Sequence, residues 1–190
     1  MALEFSLRSL IVLLPLLALA ACDRQKTEQP QAEVPLGARG PVGKIDTSHK
    51  GEDAPATPFL APDGTPATLS HFRGKPLIVN LWATWCAPCI SEMPTLDKLA
   101  AEQKDALQLI AVSQDLEGKR AVEPFFAKHK FTMLKPYLDK QNVLPLAYKT
   151  DTLPMTVMYD AEGKEQWRVL GGLDWQGAKA KELIGRALSR

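Results

Sequence analysis

Cysteine and histidine are scarce in this chain: three of each in 190 residues, with no second Cys-x-x-Cys, and with His49, His71 and His129 scattered. A structural zinc site needs four protein ligands, so zinc is disfavoured and no metal or other cofactor is assigned. An excess of charge is missing too, since 23 basic residues face 22 acidic ones. There is no basic stripe interleaved with aromatics, so nucleic acid is not expected as a partner. The Lys128-His129-Lys130 cluster reads as a solvated helix face. Phe, Trp and Tyr are absent from Asp23 to Glu52, where Pro30, Pro35 and Pro41 alternate with Gly37, Gly40, Gly43 and Gly51. Such a stretch cannot bury enough apolar area to offset its ordering entropy, and it reads as a tether.

What precedes that tether is apolar. Arg8 is followed by an apolar stretch from Leu10 to Leu19 and by Ala20-Ala21 before Cys22. The stretch is too short to span a bilayer stably and reads as a secretory signal over residues 1–21. Leu19-Ala20-Ala21-Cys22 resembles the bacterial lipobox, in which the cysteine is lipidated and becomes the mature N-terminus. An odd third thiol in an exported chain wants an explanation, and an acyl anchor on Cys22 supplies it. Asp23 is similar to the signal that keeps lipoproteins on the inner membrane. The expected location is the outer (periplasmic) face of the cytoplasmic membrane, with residues 22–52 as a lipid-anchored tether whose root-mean-square span is about 30 Å.

The other two cysteines carry the chemistry. Cys86 and Cys89 follow the apolar run Leu77 to Leu81 within Trp82-Ala-Thr-Trp85-Cys86-Ala87-Pro88-Cys89, where a strand turns into a helix. Spacing i,i+3 puts both side chains on one helical face, about 5 Å apart between Cβ atoms, within disulfide range. At a helix start, free N–H groups and the helix dipole favour the Cys86 thiolate, which is the form that attacks disulfides.

The compact part is expected over residues 53–190, enough for one well-buried core. Phe59-Leu60, the turn Pro62-Asp63-Gly64 and Ala67-Thr68-Leu69 read as a strand pair. Leu77 to Leu81 reads as a buried strand and Cys86 to Gln103 as a helix. Leu107 to Val112 reads as the next strand, followed by a helix with Val122, Phe125 and Phe126 inward. That alternation argues for parallel pairing. The segment from Tyr137 to Thr150, broken by Pro145, is expected to hold a short strand and a helical turn. Thr156 to Tyr159 and Gln166 to Leu170 read as a hairpin, and a helix capped by Asp174 closes the chain at Leu188.

Strand, Trp-Cys-x-x-Cys, helix, a later Pro154 before a hairpin, and a last helix together resemble the thioredoxin fold over roughly Gly51 to Arg190. Ala54-Pro55, Asp63-Gly64, Leu69 to Pro76 and Asn80 to Pro94 resemble more closely the extracytoplasmic TlpA/ResA-type reductases. The resemblance implies an α/β fold with a central mixed sheet flanked by helices, an N-terminal strand pair and a short insert. It implies that Cys86 attacks and that Cys89 resolves. Trp85 is expected at the surface and Trp82 in the core, Pro88 in the first helical turn, and Pro94 as a kink. Pro154 matches a cis-proline opposite the dithiol that leaves the backbone of Leu153 free to pair with an extended client. Gly171 matches a glycine that lets backbones approach closely. Thr152 and Met155 depart from the family pattern, where Gly and Thr are common. Asn80 stands where thioredoxins bury an acid and cannot relay a proton. Glu92 is the candidate replacement, matching the Glu of CxxCxxE, with burial raising its pKa so that it exchanges a proton with Cys89.

The expected protein is a lipid-anchored thiol-disulfide oxidoreductase that reduces disulfide-bearing client proteins and is re-reduced by a membrane electron donor. The resemblance implies apocytochrome c or copper-site proteins of respiratory oxidases as clients. An oxidant or isomerase for exported proteins is the alternative of the same chemistry. A Cu(I) chaperone, using Cys86 and Cys89 with Met93 or Met155, is the alternative of another class.

Overall fold

The computed structural model describes residues 43–189, so the signal peptide and Cys22 lie outside the described residues. The strands are β1 (Lys44–Asp46), β2 (Phe59–Leu60), β3 (Pro66–Ala67), β4 (Leu77–Trp82), β5 (Gln108–Ser113), β6 (Pro136–Leu138), β7 (Met155–Tyr159) and β8 (Glu165–Leu170). The helices are α1 (Ala87–Glu102), α2 (Lys119–His129), α3 (Val143–Tyr148) and α4 (Ala178–Leu188). All eight strands join one mixed sheet in the order β1-β8-β7-β4-β5-β6-β2-β3. The β4-β5 and β5-β6 pairs are parallel, as strand-helix alternation requires, and β7 runs antiparallel to β4.

β4 is buried along its whole length, which is why its sequence is a continuous apolar run broken by Asn80 alone. Alternation divides its side chains between two cores. Ile78 and Trp82 meet Met93, Leu96, Val122, Trp175 and Ile184 on one side, and this cluster contains Cys86 and Cys89. Val79 and Leu81 meet Val112, Leu144, Tyr148 and Met155 on the other. Trp82 lies against Phe125 and Phe126, with ring centroids 5.0 and 5.9 Å away.

Three boundaries differ from the sequence reading. The first is the tether, because residues 43–52 belong to the domain. β1 pairs antiparallel with β8, Gly51 N–H donates to Glu165 C=O at 2.8 Å, and Glu165 N–H donates to Glu52 C=O at 2.9 Å. A stretch without aromatics is ordered here by backbone hydrogen bonds to a sheet edge, with Ile45 alone of β1 packed against the core. Gly43 enters under tight constraint, since a Cβ there would sit 2.5 Å from the Gly171 carbonyl oxygen.

The second difference is at α4, which starts at Ala178 instead of Asp174. The Asp174 side chain accepts from Gln176 N–H and its carbonyl accepts from Gly177 N–H, forming a turn. Trp175 is drawn out of helical geometry because its N–H donates to Thr95 Oγ1 at 3.2 Å and its indole reaches Glu92. The third is at α1, where Cys86 is the N-cap and the helix proper runs from Ala87 to Glu102, with Pro94 inside it.

Candidate active site

The end of β4 delivers the chain to α1 through Ala83-Thr84-Trp85, and this short connection sets the position of the dithiol. Asp115, just past the end of β5, holds it. Its carboxylate accepts from Thr84 N–H at 3.0 Å, Thr84 Oγ1 at 2.6 Å and Ser113 Oγ at 2.7 Å. Cys86 and Cys89 form a disulfide with Cα atoms 5.2 Å apart. Cys86 Sγ also accepts from Cys89 N–H at 3.3 Å, so a sulfur occupies the cap position that serine or aspartate usually fills. Cys86 is 6% exposed and Cys89 is fully buried, which leaves Cys86 as the cysteine nearer solvent. Pro88 is in the first turn, where its missing N–H costs nothing.

Glu92 lies one turn beyond Cys89 and is buried. Its Oε1 accepts from Asn80 Nδ2 at 2.8 Å, and its Oε2 accepts from Leu173 N–H at 2.9 Å and Trp175 Nε1 at 3.2 Å. Burial pushes its carboxyl up to about 7, with the three hydrogen bonds acting in the opposite direction. Asn80 Nδ2 makes a second bond, to Thr156 Oγ1 at 2.9 Å on the neighbouring strand β7.

The Leu153–Pro154 peptide is cis. Pro154 C=O accepts from Gly171 N–H at 2.8 Å, and Gly171 adopts φ +95°, a conformation that favours glycine. Neither the N–H nor the C=O of Leu153 has a hydrogen-bond partner among the described residues. Trp85 is 68% exposed. With Gln114, Leu116, Pro145, Thr152 and Leu153 it lines an open groove of about 450 Å³. Gly172 faces Pro88 and Glu92, with room for a Cβ at ordinary contact distance.

The structure therefore brings Trp85, Cys86, Pro88, Cys89 and Glu92 together on α1 and its approach, with Leu153, Pro154 and Gly171 on the β7–β8 side. Met93 is buried in the core that contains the dithiol, whereas Met155 belongs to the other core, across the sheet. Four residues of the site went unread in the sequence: Asp115, Thr156, Leu173 and Trp175. Asp115 had a signal, a polar Ser-Gln-Asp ending a buried parallel strand next to the dithiol strand, where open α/β sheets place their sites. The other three act through backbone position or a single polar atom and leave no pattern.

A central mixed sheet with a closed dithiol at the start of its first long helix defines a thioredoxin-fold thiol-disulfide oxidoreductase. The chain belongs to the Redoxin family, whose profile matches residues 49–184. Thiol-disulfide oxidoreductase ResA of Geobacillus thermodenitrificans is 32% identical over 131 residues, 68% of this chain and 74% of that protein. ResA of Oceanobacillus iheyensis is 34% identical over 112 residues, which span 58% of this chain and 57% of the relative. A thiol:disulfide interchange protein, DsbE, from Chlorobium tepidum superposes with a TM-score of 0.65 at 25% identity, covering 73% of this chain and 97% of that one.

Proposed function

We propose that this chain is a lipid-anchored reductase of protein disulfides on the outer face of the cytoplasmic membrane, held there through Cys22. The observation that carries the reading is a closed Cys86–Cys89 ring capping α1 beside a groove with exposed Trp85 and the unpaired backbone of Leu153. In the dithiol state the Cys86 thiolate attacks one client sulfur. The client S–S bond breaks, a Cys86–client bond forms, and the first client thiolate leaves. Cys89 then gives its proton to Glu92 and attacks Cys86 Sγ, which releases the second client thiolate. The client gains two electrons, and its two thiolates take up one proton returned by Glu92 and one from solvent, which matches the proton Cys86 lost to solvent on ionising, while the pair returns to the disulfide form.

Electrostatics support this division of labour. Helix N-terminal N–H groups, Cys89 N–H among them, favour negative charge on Cys86. Glu92, with its carboxyl pushed up to about 7 by burial, is suited to take a proton from Cys89 and return it. Trp85, Pro88, Leu153, Pro154 and Gly171 are the proposed client contacts, with an extended client strand pairing to Leu153. A membrane electron donor re-reduces the pair, and apocytochrome c or oxidase copper-site proteins are the proposed clients. The proposed tether is shorter than residues 22–52, because Lys44–Asp46 already pair with β8. The anchor therefore keeps the site closer to the membrane.

A redox titration against glutathione tests the direction. A reductant requires a potential below about −200 mV, and a value near −120 mV would assign the chain to oxidation instead. Acyl labelling of the cells should disappear on Cys22→Ser, and its persistence would remove the anchor from this reading.

A further inference from the structure

Glu92 has an unequal set of partners. Its Oε2 is held by two donors, Leu173 N–H and the Trp175 indole, neither of which can accept a hydrogen bond. A proton on Oε2 would face both. Oε1 has a single partner, the Asn80 side-chain NH2, so a proton on Oε1 also faces a donor in the arrangement present. Asn80 divides its two amide hydrogens between Glu92 Oε1 and Thr156 Oγ1, while its own Oδ1 is buried with no partner among the described residues. The network is thus complete for a carboxylate and leaves one acceptor unused. An orphaned buried acceptor is costly, and its persistence asks for a reason.

A half turn of the Asn80 amide supplies the reason. It brings Oδ1 to face Oε1 and Thr156 Oγ1, and a threonine hydroxyl donates as readily as it accepts. A protonated Glu92 would then donate to Oδ1, and Thr156 would reverse its own bond. We propose that Asn80 is a two-position residue that follows the proton on Glu92, its NH2 turned to the carboxylate and its C=O turned to the acid. The flip trades an unused acceptor for an unused donor, so neither orientation satisfies the amide throughout, and the proton on Glu92 decides between them. Asn80 and Thr156 are direct partners in the β4–β7 register. The proton state therefore reaches β7 two residues beyond Pro154 and three beyond Leu153, which lines the client groove. Asn80 positions the proton and does not carry it.

Among the described residues no ionised group competes for control. β4 contributes Asn80, β7 Thr156, and the β8–α4 connection the Leu173 N–H and the Trp175 indole. On α1 the neighbouring titratable group is Cys89, once reduced, and no charged side chain among the described residues acts on Glu92. The catalytic use of the flip rests on reading Glu92 as the proton carrier of Cys89, but the hydrogen-bond argument does not.

The full oxidised chain, labelled with 15N at asparagine, tests the proposal with only two side chains to assign, Asn80 and Asn142. Nuclear Overhauser contacts from the Asn80 NH2 to Thr156 should be present near about pH 9 and lost near about pH 5, changing with the same midpoint as the Glu92 carboxyl carbon. An unchanged contact pattern across that titration overturns the proposal. Asn80→Ala gives a second reading. A flipping amide supports both forms of Glu92, so its removal should move the ionisation constant by about twofold or less. An amide that only donates supports the carboxylate alone, and its loss would weaken ionisation roughly tenfold or more. If Glu92→Gln slows thiol exchange while the amide stays fixed, Glu92 keeps its role and the flip is overturned. If the amide flips and Glu92→Gln exchanges normally, the flip stands and the proton-carrier reading falls.

Discussion

Replacing Glu92 by Gln should change how stability depends on pH, and the size of the change follows from the site. In the unfolded chain this carboxyl has its ordinary value of 4.5, and in the folded protein burial pushes it up to about 7. Between those values the folded protein holds the proton and the unfolded chain does not, so raising the pH favours unfolding. The associated stability is fully present below 4.5, is lost as pH rises through about 7, and stays lost above it. At about 1.4 kcal/mol for each pH unit, the whole swing is about 3 kcal/mol. Gln keeps the shape and carries no proton to lose, so the variant should lack this swing. Urea unfolding of the oxidised protein between about pH 4 and pH 9, read as the difference between the two chains, isolates the contribution of this one group. Glu92→Gln should gain about 3 kcal/mol on the parent across that range. Parallel stability curves would show that the buried carboxyl does not titrate as argued here.

Other substitutions separate support of the site from contact with the client. Trp85 is exposed, so Trp85→Ala should leave stability within about 0.5 kcal/mol while slowing reduction of a protein disulfide more than that of a small one, by stopped-flow comparison. Asp115→Ala should cost roughly 2–3 kcal/mol in denaturant unfolding, because Thr84 and Ser113 lose their acceptor inside the protein. Gly43→Ala should cost about 1–3 kcal/mol through overpacking against the Gly171 carbonyl, with faster hydrogen exchange at the β1 amides.

Where a residue type has one physical use, the sequence was readable. Leu77 to Leu81 reads as a buried strand and is one, and the two cysteines at its end stand where α1 starts. Pro154 was legible through the family resemblance and is cis in the structure. Glu92 was visible as a carboxylate one turn from Cys89, but its partners were not, since Leu173 offers only a backbone N–H and Trp175 looks like any core indole. The edge strand Lys44–Asp46 escaped for a similar reason. Its order comes from main-chain bonds to β8, which composition does not record. The misplaced start of α4 followed from the same ignorance: Asp174 has the chemistry of a cap, yet the bonds that pull Trp175 toward Thr95 and Glu92 come from distant sequence.

Capture of clients by a Cys89→Ser variant in the native host shows whether Cys86 exchanges with protein disulfides. Without its resolving thiol, Cys86 should accumulate mixed disulfides with client proteins that dissolve under reduction, and peptide mass spectrometry should place the bond at Cys86. Recovery of the Cys89→Ser chain free of adducts, or of the same adducts when Cys86 is also Ser, would rule out Cys86 as the attacking thiol.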